Sequence, residues 1–281
     1  MTQASDFREE SDVLYELLRA MPAEHWTRPT GFKAWTSNDV IGHLHIFNHA
    51  AKLSLAGRDE SKAFFAEIAA GKARGESLLL YTRAWLRGAQ DRILLEQWRE
   101  LYRQLADAYA TQDPARRLAW GGPDMSARSL ISARQMETWA HGQEIFDLLG
   151  ASRTEGERIK NIAVLGVNTF GWTFANRGLP VPPVQPYVRL TSPGGAVWEW
   201  HAQQDSERLE GSAVDFGAVV TQTRNVADTR LRVTGPVTQQ WMSLAQCFAG
   251  PPEDPPAAGT RGPPSEQLER NNRTGEPHVH R

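Results

Sequence analysis

Apolar residues recur at helical spacing through most of the first half of the chain. Val13, Leu14, Leu17 and Leu18 share one face of a helix predicted from Phe7 to Met21, and Pro22 follows it. Residues 24–33 read as a loop. Thr36 or Ser37 can cap a second helix, with Asp39 favourable in its first turn. That helix carries Val40, His43, Leu44, Phe47 and Ala51 and runs to about Gly57. A charged helix is predicted from Glu60 to Ala73, and a long amphipathic one from Asp91 to Ala110 through Ile93, Leu94, Trp98, Tyr102 and Leu105. After the loop Trp120-Gly-Gly-Pro-Asp124, Ser126 or Ser129 can cap a further helix that ends near Gly150. Long helices in succession, with no strand pattern between them, predict an up-and-down bundle.

The pattern changes after about residue 178. Pro180, Pro182, Pro183 and Pro186 mark a linker or irregular crossing. Tyr187 to Thr191 alternates like a strand, Pro193-Gly-Gly195 reads as a turn, and Ala196 to Trp200 reads as the returning strand. Leu209 to Ala213 and Leu231 to Thr234 are strand-like, whereas Val214 to Thr223 and Val237 to Phe248 are helical. The expected class is a two-domain α+β protein. Its predicted parts are a helical domain over 1–150, a linking helix and small α+β domain over 151–250, and a disordered tail over 251–281, rich in Pro, Gly and charge.

Composition narrows the function more by exclusion than by suggestion. The formal net charge is -2 with no long basic run, which disfavours nucleic acid as a partner. The lone Cys247 permits neither a disulfide framework nor a Cys-rich zinc module, and its surroundings Ala245, Gln246 and Phe248 suggest a small buried hydrophobe. No apolar run is long enough to cross a bilayer, and the polar start lacks the features of a secretory signal. A cytoplasmic protein is therefore expected. Ten Trp is a high count. Trp35, Trp120, Trp139, Trp198 and Trp200 sit beside turn residues or candidate site residues, so they could wall a pocket or simply fill the core.

The chemistry concentrates on the helix that begins after Ser126. Leu130, Arg134, Glu137, His141, Glu144 and Leu148 advance by three or four, which puts them on one stripe. The stripe is apolar at its ends and ionisable in its middle, so four charged or titratable groups must face water or find strong partners. The flank of Met136, Ala140 and Ile145 is a rival inward face. His43 lies on the apolar face of its own helix, with Val40, Leu44 and Phe47. With Glu137 and His141 it makes a set of two His and one carboxylate, suited to zinc, ferrous iron or nickel with an open position. Against that stand a hydrogen-bonded core His and a solvated Glu–His helix pair. His45 and His49 form a competing pair nearer the polar side of the second helix, with Asn48 and Lys52, and read as surface residues. His278 and His280 in the tail can bind metal adventitiously. Neither a Gly-x-Ser-x-Gly elbow nor a phosphate-binding Gly-rich loop is present.

Two segments carry a family resemblance. Trp35-Thr-Ser-Asn-Asp-Val-Ile-Gly-His43-Leu44 resembles the Trp-Thr-x-x-Asp-x-x-x-His-Leu signature of the mycothiol-dependent maleylpyruvate isomerase family, and Arg134-Gln-Met-Glu137-Thr-Trp-Ala-His141 resembles its Arg-x-x-Glu-x-x-x-His signature. That family belongs to the DinB/YfiT-like metalloproteins. The resemblance implies an N-terminal DinB-like four-helix bundle holding a divalent metal, expected to be zinc, through His43, Glu137 and His141. Val188 to Trp200, the run from Leu209 to Phe216, and Leu231 to Gly235 resemble the smaller sterol-carrier-like C-terminal domain of relatives. Where relatives often carry Asp, three residues after the second metal His, this chain has Glu144.

The resemblance implies a metal-dependent enzyme that uses mycothiol or another small thiol as cosubstrate for isomerisation or S-transfer on a small electrophile. Arg134 is expected to clamp a substrate carboxylate or to orient Glu137 or Glu144, and Glu144 to act as an acid/base or a supporting partner. The alternatives are a non-catalytic, metal-stabilised binding protein and a metal-hydroxide hydrolase. The residues say nothing about oligomeric state.

Overall fold

A computed structural model describes residues 1–262, in two compact units that divide between Gly142 and Gln143. The division falls inside a helix. Among the described residues the chain is helix-rich, with two small sheets.

In the first unit, α1 (Thr2–Ala20) is followed by α2 (Ser37–Ala56), α3 (Arg58–Ala73), α4 (Leu78–Trp85), α5 (Asp91–Ala110) and α6 (Ala127–Leu149), the last continuing into the second unit. Thr36, not Ser37, caps α2. Its side chain accepts from the Asp39 N–H, and the Asp39 carboxylate accepts from the Thr36 N–H. The short α4 and the two-residue hairpin strands β1 (Arg117–Leu118) and β2 (Met125–Ser126) escape the periodicity reading, because each is too short to show a period.

Polar pairs between helices fix their directions. Arg8 meets Asp107 and Tyr15 meets Glu96, so α1 and α5 run antiparallel. Asn38 meets Asp91 and Lys52 meets Gln104, so α2 and α5 run parallel. His43 meets Glu137 and Asn48 meets Arg134, so α2 and α6 run antiparallel. The expected up-and-down order is therefore corrected. Segment α3–α4 is a crossover that returns the chain to the starting end, which a parallel pair of long helices requires. The core between these helices is built from fully buried Phe7, Leu14, Leu18, Ile41, Leu44, Leu94, Trp98 and Tyr102.

Asp39 ties the start of α2 to α4. Besides the cap, its oxygens accept from Arg83 Nε at 2.7 Å and Nη2 at 2.8 Å. Burial works to raise its pKa, but the bonds from Arg83 and Thr36 outweigh it and the net direction is down. A depressed carboxylate stabilises the fold above its unfolded pKa of about 3.9, and that contribution is lost as pH falls through the folded value. Asp39→Asn is expected to lower the unfolding free energy by about 1 kcal/mol at pH 7. Urea titrations at pH 7 and pH 3 check this: the gap between variant and parent should narrow in acid.

The second unit contains α7 (Lys160–Asn168), α8 (Phe170–Ala175), α9 (Ala213–Val220) and α10 (Pro236–Leu244) beside a four-stranded sheet. Its strands β3 (Tyr187–Thr191), β4 (Val197–Trp200), β5 (Arg208–Ser212) and β6 (Arg232–Thr234) are ordered β4-β3-β5-β6. β3 pairs antiparallel with β4 and parallel with β5, with Val188 opposite Trp200 and Leu209. Trp241 packs against Phe170 and Phe216 at ring distances of 5.3 and 5.7 Å.

Of the predicted tail, residues 251–262 are described and the rest, 263–281, lies outside the described residues. Asn225 Nδ2 donates to Pro256 O, Gly259 N–H to Asp228, and Arg261 Nη1 to Glu144 Oε2, so the chain is tied down as far as 262. Proline and glycine limit regular structure without preventing side chains elsewhere from holding the strand. His278 and His280 lie outside the described residues. Among the described residues no helix is long and apolar enough to cross a membrane.

Candidate metal centre

Two helices and one loop build the site. His43 projects from α2 toward α6, where Glu137 and His141, one turn apart, face it. His43 Nε2 and His141 Nε2 stand 3.4 and 3.3 Å from the same oxygen, Glu137 Oε2. The donor atoms of the three residues all lie within 4.8 Å of one another, and among the described residues they form a group that could hold a metal ion. The side chains are 13% exposed for each His and 22% for Glu137, so the group is enclosed but reachable from solvent.

The electrostatics favour a cation there. Burial pushes the His43 pKa down to about 4, against the pull of Glu137. Burial also works to raise Glu137, but the hydrogen bonds from His141 and His43 prevail, and its carboxyl stays well below the usual range. A neutral imidazole beside an ionised carboxylate is the protonation state a metal requires of its ligands.

Aromatic rings surround the imidazoles. Trp35 stacks on His141 at 5.7 Å with planes 9° apart, and Phe32 meets the same ring edge-on at 5.1 Å. Phe47 packs on His43 at 4.8 Å and reaches Trp120 at 6.3 Å. The loop that brings Phe32 and Trp35 in is tight. Lys33 and Ala34 between them have φ of 49° and 56°, and Thr30 N–H closes the turn on Trp35 O at 2.7 Å. Phe32 was not among the residues singled out in the sequence; it sits in an apparent loop with no period to mark it. Of the Trp residues considered for a pocket wall, Trp35 touches both imidazoles, and Trp120 packs with Phe47 and Phe65. Trp139 is core, and Trp198 and Trp200 belong to the second unit.

Arg134 is placed differently from the expectation. Its side chain is fully buried, its Nε donates to Asn48 Oδ1 at 3.1 Å and its Nη2 to Leu44 O at 3.4 Å. Among the described residues it makes no ion pair with Glu137 or Glu144, and these two donors reach α2. Burial lowers its pKa to about 10. Arg134 thus bridges α6 and the helix that carries His43. Asn48 is fully buried as its partner, not part of a polar face. The bridge matters because Nδ1 of His43 finds no partner among the described residues, so none of their carboxylates or carbonyls steadies that ring from behind. Glu144 is not in the triad's group. It is buried in the second unit and paired with Arg261 at 2.6 Å.

A helix-rich fold with an inward His–Glu–His group defines the class to which the comparisons point. Residues 7–146 match the family described as Mycothiol maleylpyruvate isomerase N-terminal domain, and the chain belongs to that family. Two uncharacterized proteins of Mycobacterium tuberculosis, MT0041 and Rv0036c, are each 37% identical over 250 residues, covering 88% of this chain and 95% of the relative. The crystal structure of the mycothiol-dependent maleylpyruvate isomerase superposes with a TM-score of 0.51 at 14% identity, over 78% of this chain and 87% of that one. That likeness shows a shared fold.

Proposed function

We propose that the chain is a divalent-metal enzyme that uses mycothiol, or a small thiol like it, to isomerise or S-conjugate a small electrophile. The observation that carries the metal is the spacing inside the triad. Contacts of 3.3 and 3.4 Å are long for charge-assisted hydrogen bonds, which favour about 2.7–2.9 Å. Two ligand atoms each about 2.0–2.1 Å from a tetrahedral zinc stand about 3.4 Å apart, so the spacing fits one edge of a zinc coordination shell. The donor set also suits ferrous iron and nickel. We read α1, α2, α5 and α6 as the four-helix bundle of a DinB-like domain, and the second unit as its sterol-carrier-like companion.

His43, Glu137 and His141 would hold the metal. When bound, it supplies an open position at which a thiol is deprotonated. The chain's residues do the rest. Glu137 stays ionised and His43 neutral without metal, so little protonation change opposes loading. Trp35 and Phe32 cover one side of His141 and exclude water from the ligand's approach. Arg134 holds α2 at a fixed distance from α6. With Cys247 buried, the chain offers no thiol of its own to this chemistry, and an external one fits.

Metal analysis of untagged protein tests the first half of this reading. About one equivalent of zinc or a similar ion is expected, and a chain that purifies metal-free and takes up none would defeat it. Calorimetry with mycothiol tests the second half. Heat should appear with metal-loaded protein and vanish after chelation, whereas equal binding to both forms would mean that the thiol does not use the metal.

A further inference from the structure

The parallel pair α2 and α5 is pinned at both ends, by Asn38 with Asp91 and by Lys52 with Gln104. Between the pins the register places His45 level with Gln97, and His49 level with Glu100 and Leu101. Together with Glu96 and Gln104, these residues line a cleft of about 490 Å³. His43 points from the other side of α2, so this cleft is not part of the triad's site.

The two cleft imidazoles lack the partners that such groups normally have. Neither His45 nor His49 makes a hydrogen bond with a described residue, and Nδ1 of His45 is buried without one. Their rings are held by aromatic contact alone. Trp85 lies 5.5 Å from His45 and 5.3 Å from His49, and Phe64 lies 5.5 Å from His49. Two His one helical turn apart are a chelating arrangement, because both rings leave the same face. A carboxylate is at hand. Glu100 spends one oxygen on Gln104 Nε2 at 2.7 Å, and its other oxygen has no partner among the described residues. Glu96, by contrast, is engaged by Tyr15 and Arg99.

We propose that His45, His49 and Glu100 form a second divalent transition-metal site, which clamps α2 to α5. Imidazole with carboxylate suits zinc, nickel or copper better than calcium or magnesium. The three donors are not drawn together as tightly as those of the triad, so binding pulls the exposed Glu100 side chain toward the imidazoles. The Lys52 ammonium at the end of the cleft opposes a cation. The site is accordingly weaker than the triad, and it stabilises the fold by mass action when filled.

The experiment uses the full chain with His278→Ala and His280→Ala, which removes the His-x-His tail as a source of binding. With one equivalent of zinc already loaded, nickel is titrated by calorimetry and melting temperature is followed in parallel. One further equivalent and a rise in melting temperature are expected. His45→Ala or His49→Ala should abolish both effects, with His49→Gln as a milder variant should either fail to fold. Glu100→Gln should weaken binding about tenfold, and Lys52→Gln should tighten it. In His43→Ala the cleft equivalent should persist, which separates this claim from the triad. Copper should quench Trp85, and the quenching should be lost in Trp85→Phe. Absence of the extra equivalent, its survival in the His45→Ala/His49→Ala double variant, or its loss in His43→Ala would each overturn the proposal.

Discussion

His141→Ala is expected to lower metal affinity about a hundredfold or more, because it leaves two ligands of a set in which both imidazoles converge on one oxygen of Glu137. Glu137→Gln should act as strongly. It removes the only anion of the set and leaves His43 and His141 around a neutral amide. Both variants should stay folded, since the His141 and Glu137 side chains are partly exposed. Competition with a chromophoric chelator reads the loss directly. His45→Ala and His49→Ala should leave this equivalent in place. If instead they empty the triad while His141→Ala does not, the ligand assignment is wrong.

Arg134→Met is expected to lower metal affinity by about 10–100-fold without touching a ligand. The guanidinium joins α6 to α2 through Asn48 and the Leu44 carbonyl, one residue beyond His43. Its loss lets the His43 backbone drift and leaves the Asn48 carbonyl oxygen buried without its donor. A clamp for substrate would behave otherwise: metal affinity would hold and the substrate KM alone would rise. Asn48→Ala in the Arg134→Met background provides the check. If the two act through one brace, the double variant should be little worse than Arg134→Met.

The parts of this protein that could be read from sequence are those with a long period or a local cap. Helix α5 begins and ends where the pattern of Leu94, Trp98, Tyr102 and Leu105 predicts, from Asp91 to Ala110. A cap at Thr36 or Ser37 is legible because hydroxyl residues precede the apolar period; the structure selects Thr36 and pairs it with Asp39. The parallel run of α2 and α5 was not visible. Helix periodicity carries no direction, and the crossover helix α4 is only eight residues long. Of the site, Glu137 and His141 share a turn and were legible as a pair. His43 joined them only through its apolar face and the family signature. The partners of Arg134 and Glu144 are not legible in the sequence, for one physical reason. A charged residue on an inward stripe shows that it needs a partner, not which one, and these partners lie 86 and 117 residues away at Asn48 and Arg261.

Cobalt-substituted protein titrated with mycothiol tests the central claim most directly. The claim is that the triad presents an open metal position to a thiol. Cobalt bound by His43, Glu137 and His141 should give visible bands, and mycothiol should add an ultraviolet thiolate-to-cobalt charge-transfer band that saturates at one thiol per metal. Apparent affinity should rise with pH as the thiol proton is released on binding, until the free thiol is itself ionised. A cobalt spectrum unchanged by mycothiol at any accessible concentration would contradict the account.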